Sequence, residues 1–226
     1  MQAITARTRK IVCLLKNYEA HAKEMKGSVP SNPEFFLKPT TSIQLYQDHQ
    51  MNNQNCIQVS SISHLTNDVH HEVELGVVIG KKGKNISEQE AFHHVKGFFI
   101  ALDMTARDLQ AKAKNQGKPW TVAKGFDTFC PIGSELLSPT TLIKDGRLIN
   151  LALFLKVNGV MRQHGYTDDM VHSIPKSIAA ISEVMTLEED DLILTGTPEG
   201  VAQVKPGDVI EFGVEGHTKT YSFNVV

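Results

Sequence analysis

Apolar residues in this chain fall in short runs flanked by glycine, proline or charged turn residues, a pattern of strands more than of long helices. Such runs cover residues 11–15, 69–79, 97–103, 151–157, 192–195, 209–214 and 221–225. Asn158-Gly159, ahead of Val160-Met161, suits the two-residue turn of a hairpin. Four segments read as helices. The first is capped by Asn17, runs through Met25 and ends at Gly27. The second starts at Ser87 with Glu90 as capping-box partner and reaches about His94. The third takes Thr105 as its N-cap and stops before Gly117 and Pro119; the fourth covers 174–185 behind Ser173. Residues 40–66 are rich in Gln, Asn and Ser, follow no period, and read as an irregular surface segment and a candidate for mobility. Many short strands with a few short helices predict a β-rich α+β fold, not a doubly wound parallel sheet.

No repeat, low-complexity tract or flexible linker divides the chain. The expected organisation is a short N-terminal extension over 1–10 and a single domain over 11–226. With 226 residues and 41% of them hydrophobic, the chain can bury one sizeable core. Its 25 acids against 23 bases leave a net charge of −2, which argues against nucleic-acid or membrane partners and against a basic protein partner. Cys13, Cys56 and Cys130 fit no zinc or disulfide spacing and read as reduced thiols. No apolar run is long enough to span a bilayer. The first ten residues are basic, with no acid before Glu19, as in transit peptides, but a strand follows at once. We read an ordinary polar N-terminus, with the cytoplasm expected and a mitochondrial matrix left open.

The richest chemistry lies in His70-His71-Glu72-Val73-Glu74-Leu75-Gly76-Val77-Val78. In a strand Glu72 and Glu74 share one face and Val73, Leu75 and Val77 the other. On its own the pair is equally a solvated acidic edge. Asp103, at the end of the apolar run Gly97-Phe98-Phe99-Ile100-Ala101-Leu102, changes the picture, because a lone carboxylate buried there needs a partner. Glu72, Glu74 and Asp103 together make an all-oxygen set suited to Mg²⁺ or Mn²⁺; Asp103 as a helix cap is the competing reading. Arg107 and Gln110, three apart on the helix behind Thr105, suit a substrate carboxylate, although a surface Arg paired with an acid explains the spacing as well. Lys124 stands among apolar residues and requires an anion, and Lys38 after Phe35-Phe36-Leu37 invites the same argument. His21 and Glu24 can form a dyad in which the carboxylate orients the imidazole to take a proton from water; a plain surface pair has the same spacing. Leu194-Thr195-Gly196-Thr197-Pro198-Glu199-Gly200 is a strand entering a tight turn whose hydroxyl and amides can hold an anionic oxygen, or an ordinary Gly-Pro turn.

Taken in order, these segments resemble the fumarylacetoacetate hydrolase family, in particular its small acylpyruvate hydrolase and oxaloacetate decarboxylase branch. The matching elements are Asn17-Tyr18 with His21 and Glu24, Phe36-Leu37-Lys38-Pro39 and His71-Glu72-Val73-Glu74-Leu75. They continue with Leu102-Asp103-Met104-Thr105-Ala106-Arg107-Asp108, Pro119-Trp120-Thr121 with Lys124, Ser173-Ile174-Pro175, and Leu194 through Val201. The resemblance implies a mixed β-sandwich or roll with a few short helices, a catalytic role for residues 11–226 and a homodimer. It implies Mg²⁺ (or Mn²⁺) on Glu72, Glu74 and Asp103, substrate contacts from Lys38, Arg107, Gln110 and Thr197, and catalytic roles for His21, Glu24 and Lys124, with His21 and Glu24 on a lid. The implied activity is cleavage of a carbon–carbon bond in small 2-keto acids, by acylpyruvate hydrolysis or oxaloacetate decarboxylation. Isomerisation or decarboxylation of larger keto-enol acids, tautomerisation and a non-catalytic metal-binding role are the alternatives. The chain departs from the family pattern at Leu15-Lys16, where Gly-Arg is usual, at Gly125, where Ser is frequent, and at Ala202, where Gly is usual.

Overall fold

The computed structural model describes residues 1–48 and 55–226. Two sheets curl around a shared apolar interior in a β-rich α+β fold. The larger is a mixed seven-stranded sheet in the order Phe35–Lys38, Ile11–Leu14, Leu192–Leu194, Val73–Ile79, Val95–Leu102, Cys130–Ile132, Ile43–Leu45. The second runs Val160–Tyr166, Ala152–Val157, Val209–Val214, Tyr221–Val225, Cys56–Ile57.

Alternation within the central strands sorts residues between two apolar clusters. Val73, Leu75, Val77 and Ile79 join Phe98, Ile100 and Leu102 in the larger cluster, which the second sheet completes with Leu153, Leu155, Phe212 and Phe223. Val78, Phe99 and Ala101 turn to the other side, with Ile11, Cys13, Cys130 and Leu194. Glu74 therefore sits on that second side, opposite Ala101 in the antiparallel register. Gly76 is required there, because a Cβ would run into the Phe99 ring.

Several sequence expectations change. The apolar run 69–79 is two strands, Val69–His70 and Val73–Ile79, because His71 and Glu72 leave the ladder. Thr105 is not an N-cap: Thr105–Ala106 pairs with Val69–His70, the Thr105 hydroxyl bonds the Asp103 carbonyl, and the helix Arg107–Asn115 starts behind Ala106 without a side-chain cap. Asn17 does not cap the helix Glu19–Glu24 either; its amide is used elsewhere. The segment from Ser87 is a turn leading into a short 3₁₀ helix, Ala91–His94. Residues 40–66, expected to be irregular, contribute Ile43–Leu45 to one sheet and Cys56–Ile57 to the other; 49–54 lie outside the described residues. The hairpin at Asn158-Gly159 is as expected, both residues having positive φ (50° and 77°). The helix Ile174–Val184 is capped by Ser173, whose hydroxyl accepts from the Lys176 amide.

Residues 1–10 are packed down. Ile4 of the helix Gln2–Thr5 is buried in the second cluster, Arg7 pairs with Asp190 at 2.8 Å, Arg9 with Glu188 at 2.9 Å, and Lys10 with Asp191. No helix among the described residues is long and apolar enough to cross a membrane.

Candidate active site

The ladder that pairs Val73 with Leu102 continues one step further, where the Asp103 amide donates to the Glu72 carbonyl at 2.8 Å. That step brings Glu72 and Asp103 side by side at the strand ends, with Glu74 two residues behind Glu72. One carboxylate oxygen from each of Glu72, Glu74 and Asp103 lies within 4.8 Å of the other two, and all three residues are buried.

Three buried carboxylates in one place require positive charge, and three cationic side chains supply it. Lys124, on the helical turn Thr121–Lys124, donates to Asp103 Oδ2 at 2.5 Å and to Glu72 Oε2 at 2.9 Å. Lys38 donates to Asp103 Oδ1 at 2.6 Å and to the Met104 carbonyl at 3.1 Å. Arg107 donates through one terminal nitrogen to Glu72 Oε1 (2.5 Å) and through the other to Gln110 Oε1 (2.7 Å).

The titration behaviour follows from these neighbours. Burial pushes the Glu72 carboxyl up, but Lys124, Arg107 and then His21 outweigh it and hold the group well below the carboxylate range. Glu74 goes the other way. Burial, then Asp103 and Glu72, raise it well above its ordinary value, against a smaller pull from Lys124 and from the Gly196 amide, which donates at 2.6 Å. Burial alone would lower Lys124, yet Asp103 and Glu72 raise it on balance.

Hard divalent cations take carboxylate oxygens, and the donor set fits one: three carboxylates, one of which burial and its two acidic neighbours hold well above its ordinary value. Glu72, Glu74 and Asp103 are the residues that could hold it.

A cavity of about 340 Å³ opens beside this centre. Its walls include Glu72, Asp103, Arg107, Gln110 and Lys124, with His21, Phe36 and Trp120 opposite or beside them. The Arg107 Nε–H is buried without a hydrogen-bond partner among the described residues. His21 is buried, and its Nδ1–H donates to Glu24 Oε2 at 3.3 Å, so Nε2 is the ring nitrogen that Glu24 does not engage. Glu24 in turn accepts from the Gly200 amide at 3.2 and 3.3 Å. The amides of the turn after Leu194 are taken by the protein's own carboxyl oxygens, Glu74 on Gly196 and Glu24 on Gly200.

Two other expected substrate contacts are placed away from the cavity wall. Lys38 lies behind Asp103 and spends its ammonium on that carboxylate. Thr197 donates its hydroxyl to the Val73 carbonyl at 2.8 Å and accepts from Gln163 Nε2 at 2.8 Å.

Gln163 was not singled out from the sequence. It is fully buried on the strand Val160–Tyr166, and its carboxamide joins four groups around the site. Oε1 accepts from His71 Nδ1 (2.9 Å) and the Val73 amide (3.1 Å), while Nε2 donates to Thr197 Oγ1 and to the Pro198 carbonyl (both 2.8 Å). Burial pushes the His71 imidazole down to about 4, so it is a neutral donor to Gln163. The available signal was a Gln at an inward-facing position of an alternating strand.

Fold and site together define a β-rich protein with a buried, all-oxygen acidic centre suited to a hard divalent cation. The family described as fumarylacetoacetate (FAA) hydrolase C-terminal matches residues 10–222, and the chain belongs to the fumarylacetoacetate hydrolase family. It is 47% identical over 218 residues to a mitochondrial oxaloacetate decarboxylase of Dictyostelium discoideum, covering 96% of this chain and 94% of that one. It is 50% identical over 207 residues to the mitochondrial oxaloacetate tautomerase FAHD1 of Arabidopsis thaliana, covering 92% and 86%. Among solved structures it resembles fumarylpyruvate hydrolase from Pseudomonas aeruginosa in complex with Mn²⁺ and pyruvate, with a TM-score of 0.85, 33% identity, and coverage of 97% and 90%.

Proposed function

We propose that this chain is a Mg²⁺- or Mn²⁺-dependent enzyme of small 2-keto acids, acting on oxaloacetate or acylpyruvates through an enolate-like transition state. The observation that carries this reading is the buried Glu72, Glu74 and Asp103 set, of which Glu72 and Asp103 line a cavity together with Arg107 and Lys124. The names of the relatives support oxaloacetate as the first substrate to try, and the Mn²⁺ and pyruvate bound by the Pseudomonas protein support the metal and the keto-acid class. When bound, the cation would supply a Lewis acid for the negative charge that develops on the keto oxygen.

The protein's own groups have separable roles in this reading. Arg107 receives the substrate carboxylate through the Nε–H that has no partner, with Gln110 fixing the guanidinium plane. Lys124 places a fixed positive charge beside the reacting carbon, stabilising charge that appears only as the bond changes. His21, oriented by Glu24, accepts or returns a proton through Nε2. Lys38 is the buried structural partner of Asp103, and Thr197, tied to Val73, keeps the start of that strand in register.

The His21–Glu24 dyad also favours tautomerisation of oxaloacetate, which needs only a proton moved between carbon and oxygen and no bond cleaved. The tautomerase name of the Arabidopsis relative supports the same reaction. We include a homodimer in the proposal, and the mitochondrial names of both relatives support a mitochondrial location as the alternative to the cytoplasm.

The test is one panel on purified protein: loss of enol-oxaloacetate absorbance, CO₂ release from oxaloacetate and cleavage of acetylpyruvate. Each is run with Mg²⁺, with Mn²⁺ and with excess chelator. Metal-dependent turnover in any arm supports the proposal, and the most active arm names the reaction. Chelator-insensitive rates, or none in all three arms, would remove it.

A further inference from the structure

The segment carrying His21 and Glu24 joins the strand Ile11–Leu14 to the strand Phe35–Lys38, with Asn17 towards its first end and Pro30 towards its second. Both of its ends meet one residue about 150 positions further along the chain. At the first end the Asn17 side chain embraces the His172 peptide: Oδ1 accepts from the His172 amide at 2.7 Å and Nδ2 donates to the His172 carbonyl at 3.0 Å. The same Nδ2 donates to the Thr195 carbonyl at 2.9 Å, and the Val171 amide donates to the Asn17 carbonyl at 2.9 Å. At the second end the His172 ring takes over, with Nε2 at 2.9 Å from the Pro30 carbonyl. A carbonyl only accepts, so the proton is on Nε2, and Nδ1 is the ring nitrogen left buried without a partner among the described residues.

We propose that His172 is a positioning residue for the His21–Glu24 dyad: its backbone and its ring close the two ends of segment 17–30 against the body of the protein. This rests on the dyad acting as the proton-transfer pair proposed above. The physical case is that the helix within the segment, Glu19–Glu24, is too short to hold its own shape and has no side-chain cap. Near the tip, Glu24 accepts from the Gly200 amide in a half-exposed contact, while His21 and Ala22 are buried. The base also fixes where His21 stands, and His172 bonds both ends of it.

The two halves of the clamp separate cleanly by mutation. His172→Leu keeps the peptide held by Asn17 and removes only the ring's bond to Pro30. His172→Gln keeps a side-chain N–H of similar reach and serves as the rescue. Three readouts are taken: amide hydrogen exchange across 17–34, Mg²⁺ affinity by calorimetry, and kcat and KM for the most active keto acid of the panel above.

For His172→Leu we expect faster exchange confined to 17–34, unchanged Mg²⁺ affinity, and a kcat lower by roughly three- to tenfold, the effect of one lost hydrogen bond. KM should move less than kcat, and His172→Gln should recover both exchange and kcat. Unchanged exchange in His172→Leu, or a His172→Gln variant as impaired as His172→Leu, would overturn the inference. Should His172→Leu not fold, His172→Ala carries the same expectation. The exchange arm needs no substrate, so the clamp is decided even where the keto-acid assays fail and the functional proposal falls alone.

Discussion

The Lys38 ammonium and the Lys124 ammonium grip opposite oxygens of the Asp103 carboxylate, at 2.6 and 2.5 Å. Neither lysine has appreciable solvent contact, so the buried Asp103 carboxylate is held between two ammonium groups, one from the strand Phe35–Lys38 and one from the helical turn Thr121–Lys124. The two pairs are not equivalent. Lys124 faces the cavity and also reaches Glu72, whereas Lys38 is turned to the Met104 carbonyl.

That asymmetry predicts different phenotypes. Lys38→Met removes a buried partner and should cost stability on the order of 3–5 kcal/mol, with activity falling only as folded protein is lost. Lys124→Met should cost stability too, but should also reduce kcat in the fraction that remains folded. Urea unfolding followed by activity per folded molecule distinguishes them, and identical losses in both readouts would contradict the assignment.

Glu74→Gln removes one carboxylate from the acidic centre while keeping an acceptor for the Gly196 amide. Mg²⁺ affinity measured by calorimetry should fall by about a hundredfold, and metal-dependent turnover with it. Unaltered affinity would place the cation elsewhere.

Metal stabilisation should depend on pH, with a sign set by Glu74. Its carboxyl is raised in the metal-free fold, so it contributes stability that is present below its unfolded value and lost as pH rises through the folded one. Glu72 is lowered; its contribution is present above the unfolded value and is lost only as pH falls. A divalent cation replaces the missing proton at high pH, so Mg²⁺ should raise the melting temperature more near pH 8 than near about pH 5. Equal shifts at both would show that Glu74 is not coupled to the cation.

His71 gives a separate acid-side signature. Its folded value of about 4 lies below the unfolded one, so the fold gains stability above pH about 6.5 that is lost as pH falls towards 4. The full effect is on the order of 3 kcal/mol. His71→Gln should flatten this part of the pH–stability curve, measured by chemical denaturation between those limits.

Gln163→Leu strips partners from His71, the Val73 amide, Thr197 and the Pro198 carbonyl at once. Each buried group left unpaired costs about 1–3 kcal/mol, so stability should fall by more than any single-contact mutation in the second sheet. Gln163→Glu keeps the acceptor and loses the two donated bonds, and should be milder in thermal melts.

What could be read from the sequence was whatever lay within one element. Two-residue alternation put Glu72 and Glu74 together, and the apolar run before Asp103 announced a buried carboxylate. Local composition also flagged Lys124 as a lysine in need of an anion. The reading failed where a long-range pairing overrode a local preference. Thr105 has the chemistry of a helix cap, but the ladder with His70 needs its backbone extended. Asn17 has the same chemistry, but its amide is worth more across the site, on His172 and Thr195. Gln163 and His172 were invisible for the related reason that their partners lie from 34 to 155 residues away. Lys38 was recognised as buried and anion-seeking; only the fold shows that Asp103 is its partner.

The strand Ile11–Leu14 lies parallel to Leu192–Leu194, with Cys13 opposite Leu194, and this pair separates the strand of Glu74 from the edge strand that ends in Lys38. During synthesis the sheet therefore lacks the strand between Ile11–Leu14 and Val73–Ile79 until Leu192–Leu194 has left the ribosome. The segment bearing His21 can meet His172 before that moment, but its contacts with Thr195 and Gly200 come only afterwards. Contacts of such sequence separation close slowly. Assembly of the proton-transfer pair against the acids is thus among the last events of folding, and a ribosome-bound chain carries its acidic centre without the means to use it.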